Sequence, residues 1–339
     1  MDASTKLFRT AFLITLIVCG LVLVSSVHLC WAPPEPAIVI NSDGTITTNS
    51  DGVITPSTAP ITKTGNTYAL TGDLVNREIW VDISNIVLDG KGYSSNRLIY
   101  VTGESNVTIQ NWIITAGDDI GLFGVSNVSV LNNTLTGGDT PWYETGAISI
   151  DGSSSVKIVG NTITNGDIGI LIVGSQDNLI VRNTITGMHT GWDHGTAGIM
   201  LYLSSNNSIH HNNFINDTFG VGIEGLVSYN NSWDDGSSSG GNYWGDYQSK
   251  YPNASEADNS GTWNTPYVID ANNTDYHPLI DKVDITAPPP TPTPPPTPTP
   301  SPAASPSVPE LPTWIAIHIV ITVTLIVTAC LKRKPKIKP

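Results

Sequence analysis

Ser84-Asn85-Ile86-Val87-Leu88, Ser105-Asn106-Val107-Thr108-Ile109 and Ser126-Asn127-Val128-Ser129-Val130 are three copies of one phrase, each starting 21 residues after the last. Two closer copies follow at an offset of 22, Ile158-Val159-Gly160-Asn161-Thr162-Ile163-Thr164 and Ile180-Val181-Arg182-Asn183-Thr184-Ile185-Thr186. Ile209-His210-His211-Asn212-Asn213-Phe214 closes the series. The aligned apolar position is Leu88, Ile109, Val130, Ile158, Ile180 and Ile209, giving steps of 21, 21, 28, 22 and 29. A period in the low twenties points to a solenoid.

The local pattern selects the kind of solenoid. Apolar residues alternate at period two, are mostly β-branched, and sit between Asn, Gly, Ser and Asp, which is strand and turn chemistry. No stretch of the repeat carries the i, i+3, i+4 spacing of an amphipathic helix. Short strands coiling onto the next copy make a right-handed parallel β-helix with rungs about 4.8 Å apart. The recurring Asn tolerates a left-handed turn and can stack as a hydrogen-bonded ladder. Asn133, Asn161, Asn183 and Asn212 are therefore read as structural, with Trp112 in the same column one rung earlier.

Composition agrees with an exported all-β protein. The chain has 339 residues, 13% of them charged, and a net charge of −14. An acidic chain of this kind lacks the basic face that nucleic-acid binding needs. Residues 1–31 carry Lys6 and Arg9 ahead of an apolar run, the pattern of a signal peptide or signal anchor. Cys19, Cys30 and Cys330 all lie in or beside the hydrophobic ends, so the body of the chain has no disulfide framework. Eight Asn-x-Ser/Thr sequons occur, of which those at Asn253 and Asn272 best suit glycan attachment.

Residues 36–83 hold further strand-like segments, including Ala37–Ile40, Thr67–Leu70 and Glu78–Val81, and are expected to cap the raw N-terminal edge. The repeats occupy 84–227 and a C-terminal cap 228–284. Residues 287–310 form a Pro/Thr/Ser-rich extended stalk. Thr313 to Leu331 is an uncharged, mainly apolar run of 19 residues, long enough to be a transmembrane helix. The basic residues of 332–339 place that tail in the cytoplasm and the repeats on the extracellular face of the membrane.

The segments Trp233-Asp234-Asp235-Gly236, Gly241-Asn242-Tyr243-Trp244-Gly245-Asp246-Tyr247, Thr265-Pro266-Tyr267-Val268-Ile269-Asp270 and Asp275-Tyr276-His277-Pro278-Leu279 come in that order. With Asn206–Ile215 and the opening Ser42–Ile46, they resemble the archaeal surface proteins of the NosD-like right-handed β-helix family, over roughly 37–281. The resemblance implies an extracellular β-helix and, through the family name, copper as a possible ligand. Related surface proteins carry an Asp-rich loop before the Thr-Pro-Tyr motif, where this chain reads Glu256–Asn264. Tyr243, Trp244, Tyr247 and Tyr267 are expected to form a lid over the last rung.

The two long steps place their extra residues in equivalent positions, at 137–144 and 187–194. Such insertions protrude from one face of a solenoid and are where function concentrates. Trp142, Tyr143, Glu144, Trp192 and Asp193 are the candidates for binding a polysaccharide or cell-envelope glycan. Met188, His189 and His194 are the candidate metal ligands, of types that copper accepts. His210 and His211, as strand neighbours, are expected on opposite faces. For a polysaccharide-cleaving glycosidase or lyase, the candidate acids are Asp119 and Asp167, in a column Asp119, Thr145, Asp167, Thr196, Thr218. These acids would stand two rungs apart, about 9.6 Å. The reading that results is a membrane-anchored surface protein that binds or organises glycan without catalysis. Polysaccharide cleavage and copper delivery are the alternatives.

Overall fold

The computed structural model describes residues 37–286, except 49–51, 54–58, 116–119, 138–145, 190–195, 218–219 and 225–227. The expected signal segment, stalk, membrane span and tail lie outside the described residues. No helix among the described residues is long and apolar enough to cross a membrane.

Each copy of the repeat makes one coil with a strand on each of three faces. Lys157–Val159, Thr162–Thr164 and Ile168–Val173 are one such coil, and Leu179–Val181, Thr184–Thr186 and Ala197–Tyr202 are the next. Pairing between coils is parallel and in register: Ile158 lies against Ile180, Ile163 against Ile185 and Ile170 against Ile199. Among the described residues the three faces are sheets of ten, eight and seven strands. Ile168–Val173 lies in the first face, Lys157–Val159 in the second and Thr162–Thr164 in the third, and the strands of a coil are numbered by their face. This is a parallel β-helix. Its interior is a column of stacked Ile, Leu and Val, with Ile109, Val130, Ile158, Ile180 and Ile209 all fully buried. Alternation along each strand sends every second residue into that column.

Stacking begins before Asn85. Ile79–Val81 pairs in parallel with Ile99–Thr102, and Ile38–Ile40 adds outside it. Upstream, the pairing turns antiparallel. Ile46–Thr48 runs back along Ile38–Ile40, and Ile61–Thr64 forms a hairpin with Thr67–Leu70. These strands cover the first edge of two faces.

The corners are held by side-chain columns. At the turn between the second and third strands, the backbone N–H of Trp112, Asn133, Asn161, Asn183 and Asn212 each donates to a carboxamide oxygen one coil ahead. The acceptors are the Oδ1 atoms of Asn133, Asn161, Asn183, Asn212 and Asn242, at 2.9–3.0 Å. Each Nδ2 reaches back to a carbonyl of the previous coil; that of Asn183, for instance, donates to Ile158 O at 2.9 Å. Trp112 meets the same need with its indole, Nε1–H donating to Leu88 O at 3.2 Å. The larger ring fits because a Cβ at Gly90 would fall 2.7 Å from Trp112 Cγ, so only glycine can stand there. A second buried column, Asn178, Asn207 and Asn231, and a serine column, Ser153, Ser175, Ser204 and Ser228, hold the other inner corner. Asn85, Asn106 and Asn127, all at positive φ, repeat the motif on the exterior.

The asparagine column ends in the cap. Asn242 N–H donates to Asp275 Oδ2 at 2.7 Å, and Asp275 is fully buried. Beside it, Tyr243–Trp244 extends the third face, and Trp244 stacks between Phe214 and Tyr267 at ring separations of 4.6 and 4.0 Å. The expected aromatic lid is therefore built on Trp244, Tyr247 and Tyr267, with Tyr243 only half-buried. Finally the chain returns along the coils. Asn213 grips Val283 through both its amide hydrogen and its oxygen, at 2.9 and 2.8 Å, and Arg182 donates to Asp284 O.

Replacing Asn183 with Ala removes donors and an acceptor from buried backbone groups, each costing about 1–3 kcal/mol when left unpaired. Asn183→Ala should lower unfolding free energy in urea by several kcal/mol. Asn106→Gly, on the exterior and at a φ of 56° that glycine accepts, should cost less than about 1 kcal/mol. Equal losses would show that the inner column is not what holds the corner.

Candidate functional site

Both long insertions leave the coil at the same corner, after the third strand and before the first. One joins Thr134–Thr136 to Gly146–Asp151, and the other joins Thr184–Thr186 to Ala197–Tyr202. Their attachment points are two coils apart, because Ile148 pairs with Ile170 and Ile170 with Ile199. Trp142, Tyr143, Glu144, Trp192, Asp193, His194 and Asp119 lie outside the described residues. Asp167 is described and partly buried, its carbonyl accepting Ala197 N–H at 3.2 Å. The acid column needs a step of 26 from Asp119 to Thr145. The strands there step by 28, with Ile120 on Ile148, so the register differs from that expected.

The outward side of the first face carries a feature that lies outside the repeated phrase. Trp80, Tyr100 and Phe123 are partly exposed and run along the helix axis. Trp80 and Tyr100 are direct partners on adjacent strands, with ring centroids 5.1 Å apart; Tyr100 and Phe123 are 5.8 Å apart. Between them Tyr100 pairs with Gly121. A Cβ at Gly121 would lie 2.6 Å from Phe123 Cε2 and 3.0 Å from the Tyr100 ring, so the glycine makes the space into which Phe123 turns. Glu78 accepts the Trp80 indole N–H at 3.2 Å. The sequence does hold a signal: each of the three sits at the outward parity of a strand whose inward residues are Ile, Val or Leu.

The histidines fall differently from expectation. His210 ends its strand, and His211 adopts a φ of 56°. That left-handed residue breaks the alternation, so both rings come to one side with Nδ1 atoms 2.7 Å apart and centroids 4.9 Å apart. The expectation of opposite faces is wrong for this reason. His211 Nε2 lies 2.8 Å from Ser239 O, an acceptor, so that nitrogen carries a proton and Nδ1 is the atom turned to His210. Burial, and then the neighbouring His211, lowers the His210 pKa and keeps the ring neutral, while Asp235 and Asp234 oppose this. Met188 is fully buried in the core whereas His189 is exposed, its Nδ1 against Gly187 O. Those two metal candidates therefore do not share a surface.

Two carboxyls of the last coil and cap are displaced far above the usual carboxylate range. Burial pushes Asp217 up to about 7, against the pull of backbone N–H groups of Met188, Ile215 and Gly187. Burial likewise pushes Asp275 up to about 7, against the N–H groups of Asn242, Trp244 and His277. Asp217 lines a cavity of about 390 Å³ under the aromatic lid with Gly220, Asp246, Lys250 and Tyr267.

Stacked asparagine corners and an aromatic cap on three parallel sheets define a parallel β-helix solenoid. A family model described as periplasmic copper-binding protein (NosD) matches residues 35–249. The chain belongs to that family. No curated protein and no solved structure matches the chain. Among the described residues, no three His, Cys, Asp or Glu side chains converge to hold a metal ion. The His210–His211 pair nevertheless suits copper in part. Two imidazole nitrogens bound cis at about 2.0 Å in a tetragonal site stand about 2.8 Å apart, close to the separation seen here.

The position of Asp275 predicts a pH dependence. Above pH about 4 the carboxyl is ionised in the unfolded chain but stays protonated in the folded one until about pH 7, so stability falls across that window. Three pH units at 1.36 kcal/mol give at most about 4 kcal/mol. Urea unfolding at pH 4.5 and 7.5 should show wild type losing more stability than Asp275→Asn over this interval. Parallel losses would mean that Asp275 does not titrate there.

Proposed function

We propose that this is a right-handed β-helix of the archaeal cell-surface type, tethered by its C-terminal span, that binds surface polysaccharide without cleaving it. The aromatic run Trp80–Tyr100–Phe123 carries this reading. Partly exposed rings recurring at the spacing of one rung suit a repeating ligand whose C–H faces stack on them. The insertions with Trp142, Tyr143, Glu144, Trp192 and Asp193 are assigned to the same ligand, because their attachment points border the same face. A net charge of −14 favours neutral over acidic polymers. In a glycan panel tested against the full chain, Trp80→Ala or Tyr100→Ala should weaken binding at least tenfold, about 1.4 kcal/mol, with little change in melting. Loss of binding on removing Trp142 and Trp192 alone would move the site to the insertions. Release of reducing ends, sensitive to Asp167→Asn or Asp119→Asn, would replace binding with catalysis.

A second reading, copper binding, is favoured by the His210–His211 pair. His210 Nδ1 and His211 Nδ1 would be the protein ligands, with Asp234 and Asp235 adding negative charge nearby. Bound there, the ion would leave coordination positions open for a partner's donors. Titration of the full chain with copper(II), followed by electron paramagnetic resonance, should show one nitrogen-ligated ion. That signal should vanish in His210→Gln and persist in His189→Gln. The opposite pattern would return the site to the 187–194 insertion, and persistence in both variants would end this reading.

A further inference from the structure

We propose that the groove between Tyr229 and Tyr276, where the last coil meets the cap, is a separate binding site for a neutral saccharide. It shares the ligand class proposed above but uses none of the same residues. The groove is a cavity of about 530 Å³, within the range of small-ligand sites. Both tyrosines line it and are 54% and 62% exposed, so the groove offers two open aromatic faces.

Their backbones are fixed. Tyr276 N–H donates to Asp234 Oδ2 at 3.2 Å, and Tyr229 O accepts the N–H of Asn206 at 3.4 Å. Trp233 forms part of the lining and is buried, its indole N–H held by Asn273 Oδ1 at 3.0 Å. The amides of Asn230 and Asn272 and the hydroxyls of Ser232 and Thr274 complete the lining, while the Asn231 amide is taken up by the inner column.

No Lys or Arg lines the cavity, and its one carboxylate, Asp234, is engaged by His277 Nδ1 at 3.0 Å. A phosphate- or carboxylate-bearing ligand would find no cation. An apolar ligand would face a row of amides and hydroxyls. A neutral sugar matches both features, with C–H faces for the tyrosines and hydroxyls for the amides.

Asn230 and Asn272 also begin sequons, so a covalently attached glycan is the competing occupant. The test uses the full chain carrying Trp80→Ala and Tyr100→Ala, which silences the aromatic run. After intact-mass measurement, it is titrated calorimetrically with maltohexaose, cellohexaose and mannohexaose, and with hexagalacturonate as the acidic control. One neutral hexasaccharide should still bind. Tyr229→Ala or Tyr276→Ala should then weaken it at least tenfold, while Tyr276→Phe retains it. The proposal falls if no neutral hexasaccharide binds, if hexagalacturonate binds best, or if the tyrosine variants bind unchanged. It falls also if the mass shows a glycan on Asn230 or Asn272. Because the aromatic run is already removed, its failure and that of the groove are read separately.

Discussion

Everything in this molecule depends on how the corner between two strands satisfies its backbone. A parallel coil turns sharply at each corner, and there the ladder hydrogen bonds lapse while N–H and C=O groups remain buried. Each such group needs a partner. One asparagine per coil supplies both: its oxygen takes the N–H of the coil before, and its amide hydrogens return to carbonyls at the same corner. Because Asn161, Asn183 and Asn212 repeat this arrangement at matching distances, successive coils are locked at a common height. The isoleucine column can then stack without slipping register.

Such a column is directional and therefore needs two different ends. At its start an indole does the work of a carboxamide, allowed by a glycine one coil earlier. At its finish the last asparagine amide finds a carboxyl, Asp275, held neutral at moderate pH by its burial. The stacked Phe214, Trp244 and Tyr267 rings close the apolar core beside it. The caps are thus specific answers to one unmet hydrogen bond and one exposed layer of side chains.

The repeats, their register and the asparagine column were legible because period-two alternation and a 21–22 residue spacing each report one physical fact. The strands Ile38–Ile40, Thr67–Leu70 and Ile79–Val81 were legible for the same reason. The serine and second asparagine columns were hidden among turn residues, which look alike whether they face in or out. The aromatic run was hidden because Trp80, Tyr100 and Phe123 stand 20 and 23 residues apart, and only the turn of Phe123 over Gly121 joins them. The histidine pair was misread because strand alternation was carried one residue past the strand's end, where His211 turns left-handed. Sequence reasoning placed the two long insertions at equivalent positions of the coil, and the strands that flank them agree. The acid column assumed a step of 26 where the strands take 28.

The return of residues 283–284 along the coils has a mechanical meaning. Asn213 holds Val283 as a neighbouring strand would, and Arg182 holds Asp284 one coil earlier. Tension entering the domain through residue 286 meets these clasps before it reaches the cap. The pull is handed to the stacked coils, whose many parallel bonds share it, and the stacked aromatic lid is spared. A domain loaded in this way could hang from its C-terminal end while the buried edge of its last coil stays closed.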